Sequence, residues 1–306
     1  MDLLCSFAHS FPQWAAGVLD RDQHKRRNFR EETITDMLMA GLVPFEPMGI
    51  RVDYPIDESI SGEDMDWEFV NENAVDGRRY LRLHIQAKRA ICSKGKKPYW
   101  FYRELDHALA SKAATGGGGK AAGSKALLPK QHGMQHTTLI DEAAKVPGCV
   151  PIYMFYHPGS AVEPGNGISS AVEGLNWIFA DNIPKNVTTA RWPIADRKLA
   201  KWRPHFQPLS KLLCFGRSEF VRFNIDGGAA FALVFTQPAS PSPGELSDRL
   251  NELRSPAKDA RSDPVSIRAV EDIPPSTLEA IRSAADQRTG AADIPRPRII
   301  FNYNGA

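Results

Sequence analysis

Hydrophobic and polar positions alternate with period two along residues 81–89. Leu81, Leu83 and Ile85 are separated there by Arg82, His84 and Gln86, the pattern of a strand with one buried face. Residues 48–56 and 65–70 alternate in the same way and read as two earlier strands. Asp76-Gly77-Arg78 lies between the second and third, and Asp-Gly between extended runs signals a hairpin. Helical spacing takes over elsewhere. Ile34, Met37, Leu38 and Leu42 share a face of a helix over residues 27–42, closed by Gly41 and Pro44. A helix is expected over residues 99–112, with Trp100, Leu105, His107 and Leu109 along it, and a shorter one over 137–145. Residues 149–156 follow as a mostly apolar run, as a central strand covered on both faces should be. A helix before that strand predicts a crossover into the same sheet.

The flanks are less regular. Residues 1–24 read as one or two amphipathic helices broken near Pro12, with Phe7, Phe11, Trp14, Val18 and Leu19 docking on the core. Docking on a membrane is disfavoured, because the apolar side is short and no lysine-rich face opposes it. Residues 113–130 are rich in Gly, Ala and Lys. Gly118 and Gly123 have phosphate-loop spacing, but Ser124 precedes Lys125 and a helix precedes the loop, so a flexible linker is expected. Leu209–Phe215 and Ala229–Phe235 are apolar runs that complete the core. Beyond them Pro238, Pro241, Pro243 and Pro256 suggest a linker, followed by surface helices over 245–254 and 276–288. A last strand over 296–303 would join a sheet edge. The expected division is a helical segment 1–24, an α/β domain 25–236, and a Pro-rich linker with a C-terminal extension 237–306.

Composition narrows the class. The chain has 306 residues, 42% hydrophobic and 24% charged, with a formal net charge of +2. Binding to nucleic acid would therefore rest on local basic patches. Cys5, Cys92, Cys149 and Cys214 are scattered without a CxxC pair, so buried thiols in a reducing compartment are expected. The first residues carry an acid where a secretory signal wants a base. No run approaches the roughly 18 apolar residues of a membrane span, and the expected location is cytoplasmic.

Chemistry concentrates on the paired strands. Gln86 and Lys88 are two apart and leave one strand face together. Asp66 and Glu68 repeat that spacing on the preceding strand. Each has a plainer explanation. The acids can line a solvated face, and Lys88 can pair with either across the hairpin for under about 1 kcal/mol. Glu31 and Glu32 can simply complement a helix N-terminus. Helical phase turns Glu31 toward the packed side with Ile34 and Leu38, where an acid needs a partner. Glu32 points away and is kept as the alternative. His132 and His136 are four apart, but Gly133 argues against a helical metal site there. Lys94, Lys96 and Lys97 form a basic loop. Residues 191–206 interleave bases with aromatics, so that Lys201 and Arg203 can hold phosphates while Trp192 and Trp202 stack on bases or pack inward.

Taken in order, Glu31-Glu32-Thr33-Ile34-Thr35-Asp36, Asp66-Trp67-Glu68, Gln86-Ala87-Lys88-Arg89 and Pro151-Ile152-Tyr153-Met154-Phe155-Tyr156 resemble the PD-(D/E)xK nuclease superfamily. The Gln-x-Lys form is similar to its Mrr-like restriction branch, and the resemblance spans residues 25–235. It implies an α/β restriction-endonuclease-like core, a mixed central sheet flanked by helices in the order αβββαβ. It also implies a nuclease with Asp66, Gln86, Lys88 and Glu31 as catalytic residues. Asp66, Gln86, Glu31 and the Ala87 carbonyl would hold Mg²⁺ or Mn²⁺, with Glu32 and Glu68 as outer or alternative ligands. The cation would acidify the attacking water, and Lys88 would position it or stabilise the developing charge. Arg89, Lys94, Lys96, Lys97, Lys201 and Arg203 would contact nucleic acid, DNA in preference to RNA. The same resemblance suggests bacterial defence against foreign DNA, a homodimer for double-strand cleavage, and a partner protein of a defence system. Two rival readings remain. One is a degenerate nuclease-fold module that binds nucleic acid or a partner protein. The other is an enzyme acting on mononucleotide phosphates.

Overall fold

The computed structural model describes residues 3–22, 29–55, 64–102, 134–167, 169–182, 194–215, 217–225, 228–236, 240–254, 266–283, 294 and 296–303. The helices are α1 (Leu3–Asp22), α2 (Glu31–Leu42), α3 (Met134–Ala144), α4 (Leu199–Trp202), α5 (Ser210–Leu213), α6 (Pro243–Leu253) and α7 (Pro275–Arg282). The strands are β1 (Ile50–Asp53), β2 (Asp64–Val70), β3 (Tyr80–Cys92), β4 (Trp100–Tyr102), β5 (Cys149–Tyr156), β6 (Leu175–Phe179), β7 (Gln207–Pro208), β8 (Arg217–Ile225), β9 (Gly228–Thr236) and β10 (Arg298–Asn302). Among the described residues eight strands form one open, mixed sheet in the order β1-β10-β2-β3-β5-β6-β7, with β4 paired to β3. The protein is thus α/β, its central sheet flanked by helices.

β3 organises the sheet because its alternation gives it two unlike faces. Leu81, Leu83, Ile85 and Ala87 enter a core with Leu4 and Leu19 of α1, Ile34 and Leu38 of α2, and Leu246 and Leu250 of α6. The other face carries Arg82, His84, Gln86 and Lys88. Its far end, at Ala90, meets a second cluster with Tyr102, Leu139, Tyr153, Phe155 and Trp202. Full burial of each large apolar side chain contributes about 1.5–3 kcal/mol, so these clusters set which face of every strand is which. β2 pairs antiparallel with β3 from Val70↔Tyr80 to Asp64↔Gln86. The connection runs over residues 71–79 and turns at Gly77, whose φ of 75° favours glycine. The hairpin is therefore present, though its turn is longer than a two-residue Asp-Gly loop. β5 lies parallel to β3, as the crossover through α3 predicts.

Several elements depart from the sequence expectations. Pro12 lies inside α1 and does not break it. Leu4, Ala8, Phe11, Ala15 and Leu19, on both sides of the proline, are all buried. The helix backbone also packs tightly on the sheet. A Cβ at Gly174 would stand 1.8 Å from the Pro12 oxygen. Residues 100–102 form strand β4, not the start of a helix, because β3 continues to Cys92 and offers it an edge. The rest of that expected helix, and the Gly/Lys linker 113–130, lie outside the described residues. β10 does not join an edge. It lies between β1 and β2, antiparallel to the first and parallel to the second. The reason is its apolar character on both faces, since Ile299, Ile300 and Phe301 are all buried and Phe301 stacks on Phe69 at 4.6 Å. Residues 298–302 are thereby part of the central sheet. Residues 229–235 belong to β9, which pairs with β8 in a separate two-stranded sheet. α6 is not merely a surface helix: Pro243 occupies its first turn, Ser242 and Glu245 form a capping box, and Leu246 and Leu250 reach the core. Cys5 and Cys214 are joined as a disulfide, and Cys92 and Cys149 are free thiols. No helix among the described residues is long and apolar enough to cross a membrane.

Candidate functional site

Strand register arranges the polar face in rungs, because residues paired across strands share a face. Asp53, Arg298, Asp66 and His84 form one rung across β1, β10, β2 and β3. Asp64, Gln86 and Tyr153 form another across β2, β3 and β5, and Lys88 pairs with Phe155 beyond it. The residue opposite Gln86 is thus Asp64, the first of β2, and Asp66 is one rung away. Asp64 lies one residue before the strand expected over 65–70. The signal was present, since Asp64 precedes Asp66 by the same two residues that separate Asp66 from Glu68.

Asp66 is 3% exposed and has its own partners. Oδ1 accepts from His84 Nδ1 at 2.7 Å, and Oδ2 accepts from the Arg82 guanidinium. Burial alone would raise its pKa. The His84 hydrogen bond and the Arg82 charge outweigh burial and hold the carboxyl below the usual range. The opposite nitrogen of His84, Nε2, lies 3.0 Å from Arg296 Nη1, and Arg296 also pairs with Glu142 of α3. Arg298 donates from Nε to Asp53 at 3.0 Å. Glu68 accepts from Thr277 Oγ1 at 2.7 Å. Burial raises its pKa, and neither that bond nor the nearby arginines fully offset the effect. These contacts tie the acidic face of β2 to β1, β10, α3 and α7.

Gln86 and Lys88 sit together beyond this network, 0% and 1% exposed. Lys88 Nζ donates to Gln135 Oε1 of α3 at 3.1 Å. Next along α3, His136 Nδ1 stands 3.3 Å from the Tyr153 hydroxyl. Gln135 carried no signal in the sequence, since only the tertiary crossover brings it to Lys88. Among the described residues the β2–β3 pairing runs from Val70–Tyr80 to Asp64–Gln86.

Arg89 does not accompany Lys88. Period two sends it to the other face, where it is buried and donates to the Phe29 carbonyl just before α2. It is not an exposed phosphate contact. That bond, with the Thr35 Oγ1–Tyr156 hydroxyl pair at 3.0 Å, sets the N-terminus of α2 against the same ends of β3 and β5. Glu31 and Glu32 are both half-buried there. Burial therefore does not single out Glu31, which helical phase favoured, over Glu32. Glu32 Oε2 is buried and accepts no hydrogen bond among the described residues.

A basic rim lies beside the second cluster. Lys94, Lys96 and Lys97 are exposed on the β3–β4 connection. Phe101 of β4 bridges to Lys198, whose Nζ lies 4.6 Å over the Tyr99 ring. The exposed Lys201 follows on α4. Arg203 is committed elsewhere: it pairs with Glu163 and donates to the carbonyls of Ser170 and Pro164 at 2.9 and 2.8 Å. Arg191 and Trp192 lie outside the described residues, and Trp202 is packed inward.

Fold and site together define an α/β protein with an open mixed sheet and a polar, partly ionic face along its central hairpin. The chain belongs to the DUF6615 family, a family of unknown function, whose model matches residues 4–302. No curated protein and no solved structure matches it.

Proposed function

We propose that the protein is a metal-dependent nuclease that cleaves phosphodiester bonds, DNA in preference to RNA, at the end of the β2–β3 hairpin. Lys88 carries this reading. A fully buried ammonium is costly unless its surroundings use the charge. This one sits two residues from buried Gln86, with Asp64 in register across the ladder. The reading keeps Gln86 and Lys88 of the resemblance and takes Asp64 in place of Asp66. Asp64, Gln86 and the Ala87 carbonyl are oxygen donors of the kind Mg²⁺ or Mn²⁺ takes. Glu32, with its buried Oε2, is a further donor at the start of α2. When bound, the cation would acidify water and offset phosphate charge. Lys88 would stabilise the charge developing on the phosphate. Gln135 would hold the ammonium in place, and Lys94, Lys96, Lys97 and Lys201 would hold flanking phosphates.

A module that binds nucleic acid without cleaving it is the second reading. A neutral Gln86 at the position of the D/E in the PD-(D/E)xK pattern that the chain resembles, and the commitment of Asp66 to ion pairs, favour it. Purified protein incubated with plasmid, single-stranded DNA and RNA in Mg²⁺, Mn²⁺ or EDTA separates the two. Cleavage of polymer that stops in EDTA supports the nuclease. Retention of DNA with no cleavage in either metal supports the module and overturns the nuclease.

A further inference from the structure

Cys5 and His9 lie four apart on one face of α1, and Cys214 caps α5. The two sulfurs and a ring nitrogen of His9 all lie within 4.8 Å of one another. The sulfurs are joined in the structure. They are held close by more than that bond, however. Leu4 and Ala8 of α1 share a core with Leu209, Leu212 and Leu213 around α5. Arg249 of α6 donates to the Cys214 carbonyl at 2.7 Å and stacks on Phe215 at 3.5 Å. The thiols would therefore remain neighbours after reduction. Both cysteines are half-buried and His9 is exposed, so a small reductant and a cation can reach them.

We propose that Cys5, His9 and Cys214 form a redox-gated site for a borderline-soft divalent cation such as Zn²⁺. Two sulfurs and one imidazole are the donors zinc prefers, and the exposed side leaves the fourth tetrahedral position to solvent. In the oxidised form the S–S bond closes the site. A dithiol delivers two electrons and two protons to that bond, giving two protein thiols and the cyclic disulfide of the reductant. Metal binding then releases the two thiol protons to water, since thiolate is the ligand.

The test uses the full chain, either oxidised or reduced with a dithiol and desalted anaerobically, and titrated with Co²⁺ as a spectroscopic stand-in for zinc. The expected result is thiolate-to-metal charge-transfer absorption saturating at one equivalent in the reduced protein only. Cys5→Ala and Cys214→Ser, each checked for fold by circular dichroism, should lose it. His9→Ala should bind more than about tenfold more weakly. A reduced protein without the absorption, a disulfide that no dithiol reduces in the folded chain, or undiminished absorption in a folded cysteine variant would overturn the site. Unchanged affinity in His9→Ala would overturn the three-ligand assignment. The free Cys92 and Cys149 are controlled for by replacing both with serine throughout.

Discussion

Replacing Asp66 with alanine removes the acceptor shared by His84 and Arg82 and leaves both donors in the sheet. His84 has a side chain only 3% exposed and Arg82 one 20% exposed. Breaking a buried ion pair by removing one partner costs about 3–5 kcal/mol. Water reaching Arg82 relieves part of that, so a loss of about 3 kcal/mol is expected. Against a total stability of about 5–15 kcal/mol, the loss is large but leaves the chain folded. It corresponds to a melting midpoint lower by on the order of 5 °C. Urea and thermal unfolding followed by circular dichroism measure it. Cleavage assays on the same sample, well below its midpoint, measure what the chemistry loses. Cleavage close to wild type is expected there, because the variant is still folded and Asp64 is the acid in register with Gln86. An Asp66→Ala protein with the wild-type midpoint would refute the network argument. One with that midpoint and no cleavage would also return the acid's role to Asp66.

His157 is fully buried between Tyr102 and the Glu173 carbonyl, and burial pushes its pKa down to about 4. The unfolded chain takes up that proton first, near pH 6.5. Stability present above about pH 6.5 therefore falls by on the order of 3 kcal/mol as pH drops through 4; urea midpoints across that range should flatten in a His157→Gln variant. The Asp66 contribution has the same sign at lower pH, being lost as pH falls through its depressed pKa. Glu68→Gln keeps an acceptor for Thr277 and removes a buried charge of raised pKa, so at pH 7 it should match or exceed wild-type stability in urea. Cleaving the Cys5–Cys214 bond frees a chain separation of 209 residues. Chain entropy sets the loss at up to about 5 kcal/mol, read as the difference in urea midpoint with and without reductant. Triple replacement of Lys94, Lys96 and Lys97 by alanine should weaken DNA retention and lower the slope of log affinity against log salt by up to about 3.

What the chain made legible was local. Period two along β3 and the apolar run of β5 could be read directly, because each strand shows its burial in its own residues. The helix between them then implied the crossover. β10 could not be placed that way. Its apolar residues show that it is buried, but its neighbours β1 and β2 lie more than two hundred positions earlier. β4 was masked by helical spacing in the residues that follow it, and its pairing depends on how far β3 extends. At the site, spacing identified Gln86 and Lys88 as a pair on one face. Register was the missing quantity. Asp64 and Asp66 are two apart on one strand, and periodicity alone does not show that Asp64 is the one in register with Gln86. Arg89 was grouped with Lys88 by adjacency, although alternation itself sends it to the other side.

The most direct test of the nuclease assignment compares plasmid cleavage in Mg²⁺ by the wild type, Lys88→Ala and Asp64→Asn, each shown to be folded by its urea transition. Metal-dependent cleavage by the wild type is expected, with a loss of at least about a hundredfold in both variants. Cleavage at the wild-type rate by folded Lys88→Ala, or no cleavage by the wild type in any divalent metal, would contradict the assignment.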